Sequence, residues 1–278
     1  MGDSEKIKST VKERYTQIAG QTRDENAASC CGAGGCCTVD YAVFAEDYTR
    51  LQGYAKDADL GLGCGIPTEF AQIKKGDTVV DLGSGAGNDV FVARTLAGDT
   101  GRVIGIDMTE AMIARARANN AKLGFTNVEF RAGDIERIPV AGQTADVVIS
   151  NCVLNLVPDK ARAFAEIFRI LKTGGHFSIS DVVIRGNLPA AIRDAAEMYA
   201  GCVAGALEKE AYLGHVATAG FTDVRVVKEK MIDLPDEILL QYLSPAALQE
   251  FRASGTAIMS ITVYGRKASC CAPGSNCC

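Results

Sequence analysis

The chain predicts an α/β fold with a mostly parallel, doubly wound sheet, an N-terminal helical segment before it and a small C-terminal α+β region after it. Three observations carry that expectation. Over residues 77–185 short apolar runs alternate with longer helical ones, a rhythm that needs a parallel sheet with right-handed crossovers. A glycine-rich turn follows the first apolar run, and an acidic residue closes or follows each of the first three. With 278 residues, 47% of them hydrophobic, the chain can bury one substantial core.

Taken in order, residues 3–19 read as an amphipathic helix with Ile7, Val11, Tyr15 and Ile18 at helical spacing. Residues 27–38 are Gly/Ala/Cys-rich without periodicity and read as a loop. A second helix is expected over 41–54, then the turn "LGLGCGIPTEF", where Pro67 opens a short helix. "TVVDL", "RVIGID", "NVEFRAGD", "ADVVISNCV" and "GHFSISDVVI" are five strands. Thr109 is placed as N-cap of the helix that Gly124 ends, and a further helix is expected over 158–172, begun by Pro158 and stopped at Gly174. Beyond Arg185 helices are expected over 188–206 and 208–219. "TDVRVVKEKMI" and "TAIMSITVYGRK" are strands that either extend the sheet or build a lid over its edge. The expected divisions are 1–62, an N-terminal helical segment with a Cys-rich loop; 63–185, the ligand-binding domain; 186–267, the α+β region; and 268–278, a Cys-rich tail expected to be disordered.

No apolar run reaches the roughly 18 residues a membrane span needs, and the opening "MGDSEKIKST" has no secretory character. A formal net charge of −5 without a Lys/Arg cluster argues against nucleic acid. The expectation is a cytoplasmic monomer. Eleven cysteines, an odd number, fit a reducing compartment, where thiols bind soft ions or do chemistry. Eight stand in adjacent pairs near the ends, within "CCGAGGCC" and "CCAPGSNCC", and each pair offers two soft sulfurs to one thiophilic ion. Cys64, Cys152 and Cys202 stand alone.

The run Asp81-Leu82-Gly83-Ser84-Gly85-Ala86-Gly87 places its third glycine one residue earlier than the dinucleotide fingerprint requires. It resembles the first motif of class I S-adenosylmethionine-dependent methyltransferases. Closely spaced glycines let the backbone approach a methionine moiety and a ribose, and Asp81 puts negative charge near an ammonium and a sulfonium. Asp107, at the end of the second strand, is placed to accept both ribose hydroxyls, and "GDIE" at 133–136 lies where this class contacts adenine. His176 and His215 read as structural.

Cys152 falls at the carboxyl end of the fourth strand, where ligands of open parallel sheets bind. Cys64 precedes the sheet and Cys202 follows it. Any one alone reads as a small buried hydrophobe. Together, "LGCGIP", "DLGSGAGND", "GIDMT", "SNCVLNLVPDK", "LKTGGHFSISDV" and "GCVAGAL", in that order, make the chain similar to arsenite S-adenosylmethionine methyltransferases, closely over residues 61–207. The resemblance implies a Rossmann-like class I methyltransferase fold. It implies that Cys152 and Cys202 bind trivalent arsenic, with Cys64 beside them, and that Cys64 and an N-terminal cysteine exchange disulfides during turnover. Cys30, Cys31, Cys36 and Cys37 compete for that last role, Cys37 fitting the context best. The cofactor contacts it implies are Asp81, Gly83, Gly85, Gly87, Asp107, Met108, Ile135, Glu136 and Asn151, with Leu62 where relatives often carry Tyr.

The expected activity is methylation of arsenite, or of its thiol conjugates, for arsenic detoxification. S-adenosylmethionine is the co-substrate, thioredoxin or glutathione the reductant, and no structural metal is expected. The competing expectations are a methyltransferase acting on a carbon or oxygen of a quinone or sterol, which has no use for the three single cysteines, and a non-catalytic metalloid- or zinc-binding protein, which has no use for the glycine loop.

Overall fold

The computed structural model describes residues 3–28, 46–193 and 205–268. The helices are α1 (Asp3–Ile18), α2 (Arg23–Ala28), α3 (Pro67–Phe70), α4 (Asn88–Ala97), α5 (Glu110–Leu123), α6 (Lys160–Ile170), α7 (Ala190–Arg193), α8 (Lys209–Thr218), α9 (Asp236–Leu239) and α10 (Pro245–Ala253). The strands are β1 (Thr78–Leu82), β2 (Arg102–Asp107), β3 (Val128–Ala132), β4 (Ala145–Asn151), β5 (Leu171–Arg185), β6 (Thr222–Ile232) and β7 (Ala257–Arg266). They form one sheet in the order β3-β2-β1-β4-β5-β7-β6. β1 to β5 are parallel to their neighbours, and β7 joins β5 and β6 antiparallel. The last two strands therefore extend the sheet.

Alternation along the strands explains the layers. Val80, Leu82, Ile104, Ile106 and Val148 face α6 and α8 through Phe164, Ile167 and Tyr212, while Val79, Val103, Val147 and Ile149 face α4 and α5 through Val90, Phe91, Met112 and Ile113. A third buried cluster joins Cys64, Cys152, Val182 and Ile258 to Val11 of α1, Leu239 of α9 and Leu248 and Phe251 of α10. Helices from both ends of the chain thus roof the strand ends where the two cysteines lie.

Several boundaries differ from the sequence expectation. Residues 46–54, the described part of the helix expected over 41–54, form turns in which Leu51 N donates to Tyr48 O at 2.9 Å and Tyr54 N to Leu51 O at 3.2 Å. The inward hydrogen bonds of the Tyr48 hydroxyl hold this stretch against the sheet. α6 starts at Lys160 because Asp159, not Pro158, caps it, accepting from Arg162 N at 2.9 Å. It ends at Ile170, since Leu171 is already extended and begins β5. Thr109 occupies the N-cap of α5 without a side-chain cap bond; its own N–H goes to Asp107 Oδ1. Of the helix expected over 188–206, residues 188–193 and 205–206 lie within the described residues; Ala190–Arg193 are helical, and 188–189 and 205–206 are not. The tail from 269 lies outside them, as does the Cys-rich loop except 27–28, which end α2.

Candidate active site

The glycine loop after β1 is stitched to β2 by two donors, Gly83 N and Ser84 N, sharing Ile106 O at 2.7 and 2.9 Å. Ser150 Oγ on β4 donates to Leu82 O at 2.9 Å from the other side. Gly83 has φ +72°, and a Cβ there would lie 2.3 Å from a methyl of Val153, so no side chain fits. Gly85 N donates to Asp107 Oδ2 at 3.0 Å and Thr109 N to Oδ1 at 2.8 Å. Gly87, at φ +101°, is the N-cap of α4.

These loops line an open cavity, about 1140 Å³ counting the space at its mouth that is open to solvent, beside the junction where β1 meets β4, the switch point at which open α/β sheets bind ligands. Residues 83–86, 107–109, 133–135 and 151–153 form its walls, and Lys8, Val11 and Tyr15 of α1 close one side. Among the described lining residues six are acidic (Glu46, Asp59, Asp81, Asp89, Asp107 and Asp134) and one, Lys8, is basic. Lys8 is committed to Asp134 at 2.6 Å and to Glu136.

Asp81 is 2% exposed, and no described group hydrogen-bonds its carboxylate; burial, then Asp89 and Asp107, hold its pKa well above the usual range. Burial also raises Asp107 against the N–H groups of Thr109 and Gly85. Asp89 is pushed up to about 6 by burial, with the hydrogen bonds from Asn151 and Tyr48 opposing. A buried carboxylate without a partner is costly, and a cationic ligand relieves that cost. S-adenosylmethionine fits: its ammonium and sulfonium suit Asp81, and the Asp107 oxygens each keep acceptor capacity for a ribose diol. Met108 and Ile135 add apolar surface to the same wall. Ser84 Oγ and Asn88 Oδ1, buried and unpartnered, are further polar atoms for a ligand to meet.

Cys152 also lines the cavity, 5% exposed and in the left-handed region at φ +60°, a conformation costly for a non-glycine residue. Its N–H donates to Ser180 O at 2.7 Å. Cys64, 1% exposed, shares its buried cluster, and neither cysteine is in a disulfide. The backbone around Cys64 is gripped from two sides. Cys64 N donates to Asn151 Oδ1 at 3.1 Å, and Asn151 Nδ2 lies 2.8 Å from Gly65 O, 2.8 Å from the Tyr48 hydroxyl and 3.1 Å from Asp89 Oδ2. Ser260 Oγ on β7 donates to Cys64 O at 2.5 Å.

Of the expected site residues, Asp81, Gly83, Gly85, Asp107, Met108, Ile135, Asn151 and Cys152 line the cavity, together with Leu62. Gly87 and Cys64 lie behind the lining. Glu136 faces away, accepting from Lys8 and from Asp159 N at 2.8 Å; Asp134, two residues earlier, takes the wall position. The Asn151 amide is fully engaged by the chain itself. Cys37 and Cys202 lie outside the described residues. His176 Nε2 pairs with Ala71 O at 2.6 Å within the sheet region, and His215 is in α8. Tyr48, Asp89, Ser260 and Lys8 were not marked by sequence reasoning; Asp89 stands at the end of the quoted "DLGSGAGND", but nothing local marks the others. Among the described residues no group of three or more His, Cys, Asp or Glu is placed to hold a metal ion, and no helix is long and apolar enough to cross a membrane.

The family described as "Methyltransferase domain" matches residues 73–231. An arsenite methyltransferase of Halobacterium salinarum is 40% identical over 91% of this chain and 66% of its own length. One of Aquipseudomonas alcaligenes is 32% identical over 85% of this chain and 68% of its own. The solved structure of an arsenic(III) S-adenosylmethionine methyltransferase from Chlamydomonas reinhardtii superposes with a TM-score of 0.63 at 36% identity, covering 76% of this chain and 68% of that one. The chain thus spans about two thirds of the length of the curated relatives it matches. A parallel sheet with a glycine loop at its switch point, a cavity rich in acids and a buried thiol in its wall agree with those likenesses, and the chain belongs to the arsenite methyltransferase family of S-adenosylmethionine-dependent enzymes.

Proposed function

We propose that this protein methylates trivalent arsenic, with arsenite or its thiol conjugates as substrate, in a reducing, cytoplasmic setting. The observation that carries the reading is the Cys152 thiol in the wall of the same cavity as Asp81 and Asp107. S-adenosylmethionine, when bound, supplies an electrophilic methyl on a sulfonium. Asp81 meets the positive charge, Asp107 takes the ribose hydroxyls, and the glycine loop admits the methionine backbone. Cys152 and Cys64, with Cys202 from outside the described residues, take As(III) as thiolates, each sulfur displacing one hydroxide that leaves as water with the thiol proton. Sulfur is the preferred donor for so soft an ion. The arsenic lone pair stays free to take the methyl, so positioning supplies most of the rate and little acid–base chemistry is needed.

Transfer raises arsenic to the pentavalent state. The arsenic-bound sulfur of Cys64 and the thiol of an N-terminal cysteine such as Cys37 then return two electrons: the Cys64–arsenic bond breaks, a disulfide forms between the two sulfurs with loss of one proton, and thioredoxin or glutathione reopens it by thiol exchange. The test is methyl transfer from labelled S-adenosylmethionine with and without arsenite, in the wild type and in Cys152→Ser. Arsenite-dependent labelling is expected in the wild type, with a loss of at least about 100-fold in the variant (about 2.7 kcal/mol of transition-state stabilisation) while cofactor binding stays within about threefold. Full activity in Cys152→Ser, or transfer indifferent to arsenite, would overturn the reading.

A further inference from the structure

The segment carrying Cys64 touches the sheet unusually closely. A Cβ on Gly63 would lie 2.5 Å from Asn151 Nδ2, and one on Gly65 would lie 2.5 Å from Ser180 Oγ and 2.7 Å from Ser180 Cβ. Glycines on both sides of the cysteine therefore let its backbone press between the end of β4 and the face of β5. Once there, the N–H and carbonyl of Cys64 and the carbonyl of Gly65 are all held. Asn151 Oδ1 takes the Cys64 N–H, and Asn151 Nδ2 reaches Gly65 O. The Tyr48 hydroxyl, itself 2.9 Å from Gly65 O and from Asp89 Oδ1, buttresses the amide. From the opposite side Ser260 Oγ holds Cys64 O. Ser178 Oγ continues the same seam, donating to Pro67 O at 2.8 Å.

An amide with its oxygen and both N–H groups occupied has a fixed rotamer and a fixed flip, so Asn151 passes its own position to Cys64. Its chain neighbour is Cys152. One side chain thus ties the backbone of the first thiol to the strand end that bears the second, across 87 residues of sequence. We propose that Asn151, buttressed by Tyr48 and Asp89, and Ser260 from the opposite side are positioning residues that set Cys64 against Cys152 as a ready-made thiol pair for one thiophilic centre. The pairing rests on the arsenite reading for its chemical purpose, but the clamp itself can be examined without arsenic. A preset pair loses little freedom when it captures an ion, which favours chelation by these two sulfurs over capture by either alone.

The experiment measures iodoacetamide alkylation of Cys64 and of Cys152 in the full-length chain by peptide mass spectrometry, with neither arsenite nor S-adenosylmethionine present. Tyr48→Phe removes the hydroxyl behind the amide; Ser260→Ala removes the hydroxyl on the other side and leaves the cavity lining intact. Cys64 alkylation is expected to accelerate at least about tenfold in Tyr48→Phe and threefold in Ser260→Ala, with Cys152 changing less than about twofold in each. In Ser260→Ala, cofactor affinity is expected to stay within about twofold while kcat with arsenite falls, and Ser260→Thr, which keeps the hydroxyl, is expected to restore slow alkylation. Cys64 reactivity unchanged in both variants overturns the clamp; so does equal acceleration of the two cysteines, which marks general loosening. A wild type that methylates no arsenite sinks the functional reading and leaves the reactivity ratio to decide the clamp.

Discussion

The cofactor end and the thiol end of the site are built in opposite ways. At the cofactor end most contacts are local, linking residues 82–109 largely through backbone N–H groups, with Ser150 Oγ reaching Leu82 O from β4, and Asp81 is left buried with an unanswered carboxylate. At the thiol end the contacts bridge 87, 103 and 196 residues of sequence and leave the Cys64 backbone saturated. The first end waits for charge to arrive with a ligand; the second is rigid before anything binds. Two buried acids express the same contrast. Asp81 on β1 faces the cavity without a partner, whereas Asp181 on β5 is fully enclosed, accepting from Val182 N at 3.0 Å and from the Tyr212 hydroxyl at 3.4 Å.

The largest effect expected from this contrast is on stability. Burial pushes Asp181 up to about 7, against the pull of Lys160 and of its hydrogen bonds. An acid raised on folding binds its proton more tightly in the native state, so its contribution is full below about pH 4 and is lost as pH climbs to about 7. Asp181→Asn removes that loss. Relative to the wild type the variant should gain a few kcal/mol between pH 4 and pH 8, at about 1.4 kcal/mol per pKa unit, read from urea unfolding at each pH. Parallel stability curves for the two proteins would mean that Asp181 ionises as freely as in water.

Asp81→Asn probes the other acid, and its effect should fall on binding. Loss of a charged acceptor facing a cationic ligand is worth about 1.5–3 kcal/mol, so S-adenosylmethionine should bind about 10- to 100-fold more weakly by calorimetry. Because Asp81 is raised in the empty cavity, a cation must drive its proton off, and wild-type affinity should rise with pH. The variant should show a smaller rise. An affinity within twofold of wild type, with the same pH dependence, would move the ammonium away from this carboxylate.

Legibility in the sequence follows the same divide. The parallel sheet and the glycine loop could be read because their determinants are neighbours in the chain: alternating apolar runs, then Gly83, Gly85 and Asp107 at short spacing. Cys64 and Cys152 were visible as unusual residues in unusual places, and they do share one buried cluster. Their supports were not visible. Tyr48 lay inside an expected helix whose described part is a set of turns, and Ser260 looked like any small residue of a buried strand. Side chains that act on a backbone far away in sequence leave no local pattern. In "GDIE" both acids are plausible wall residues; Lys8 reaches both, and it is the Asp159 N–H, accepted by Glu136, that accompanies Asp134 rather than Glu136 in the cavity lining.

Lys8 offers the smallest and finest test. It bridges α1 to the carboxylates beside β3, reaching Asp134 and Glu136 while 27% of its side chain remains exposed. The far end of α1 is held separately, by Val11 and Ile18, each 1% exposed, and by Arg115 Nη1 donating to Ala19 O at 2.8 Å. Breaking the Lys8 contact should therefore loosen one end of a helix that walls the cofactor end without unseating the whole. Lys8→Met keeps most of the apolar stem and removes the charge. A partly exposed ion pair of this kind is worth about 0.5–1 kcal/mol, so S-adenosylmethionine should leave the variant about two to five times faster in stopped-flow displacement. Raising the ionic strength should speed release from the wild type by screening the same contact and leave the variant nearly unchanged. If both proteins release the ligand at one rate and respond alike to salt, α1 is not a moving wall, and the cofactor end is as rigid before binding as the thiol end.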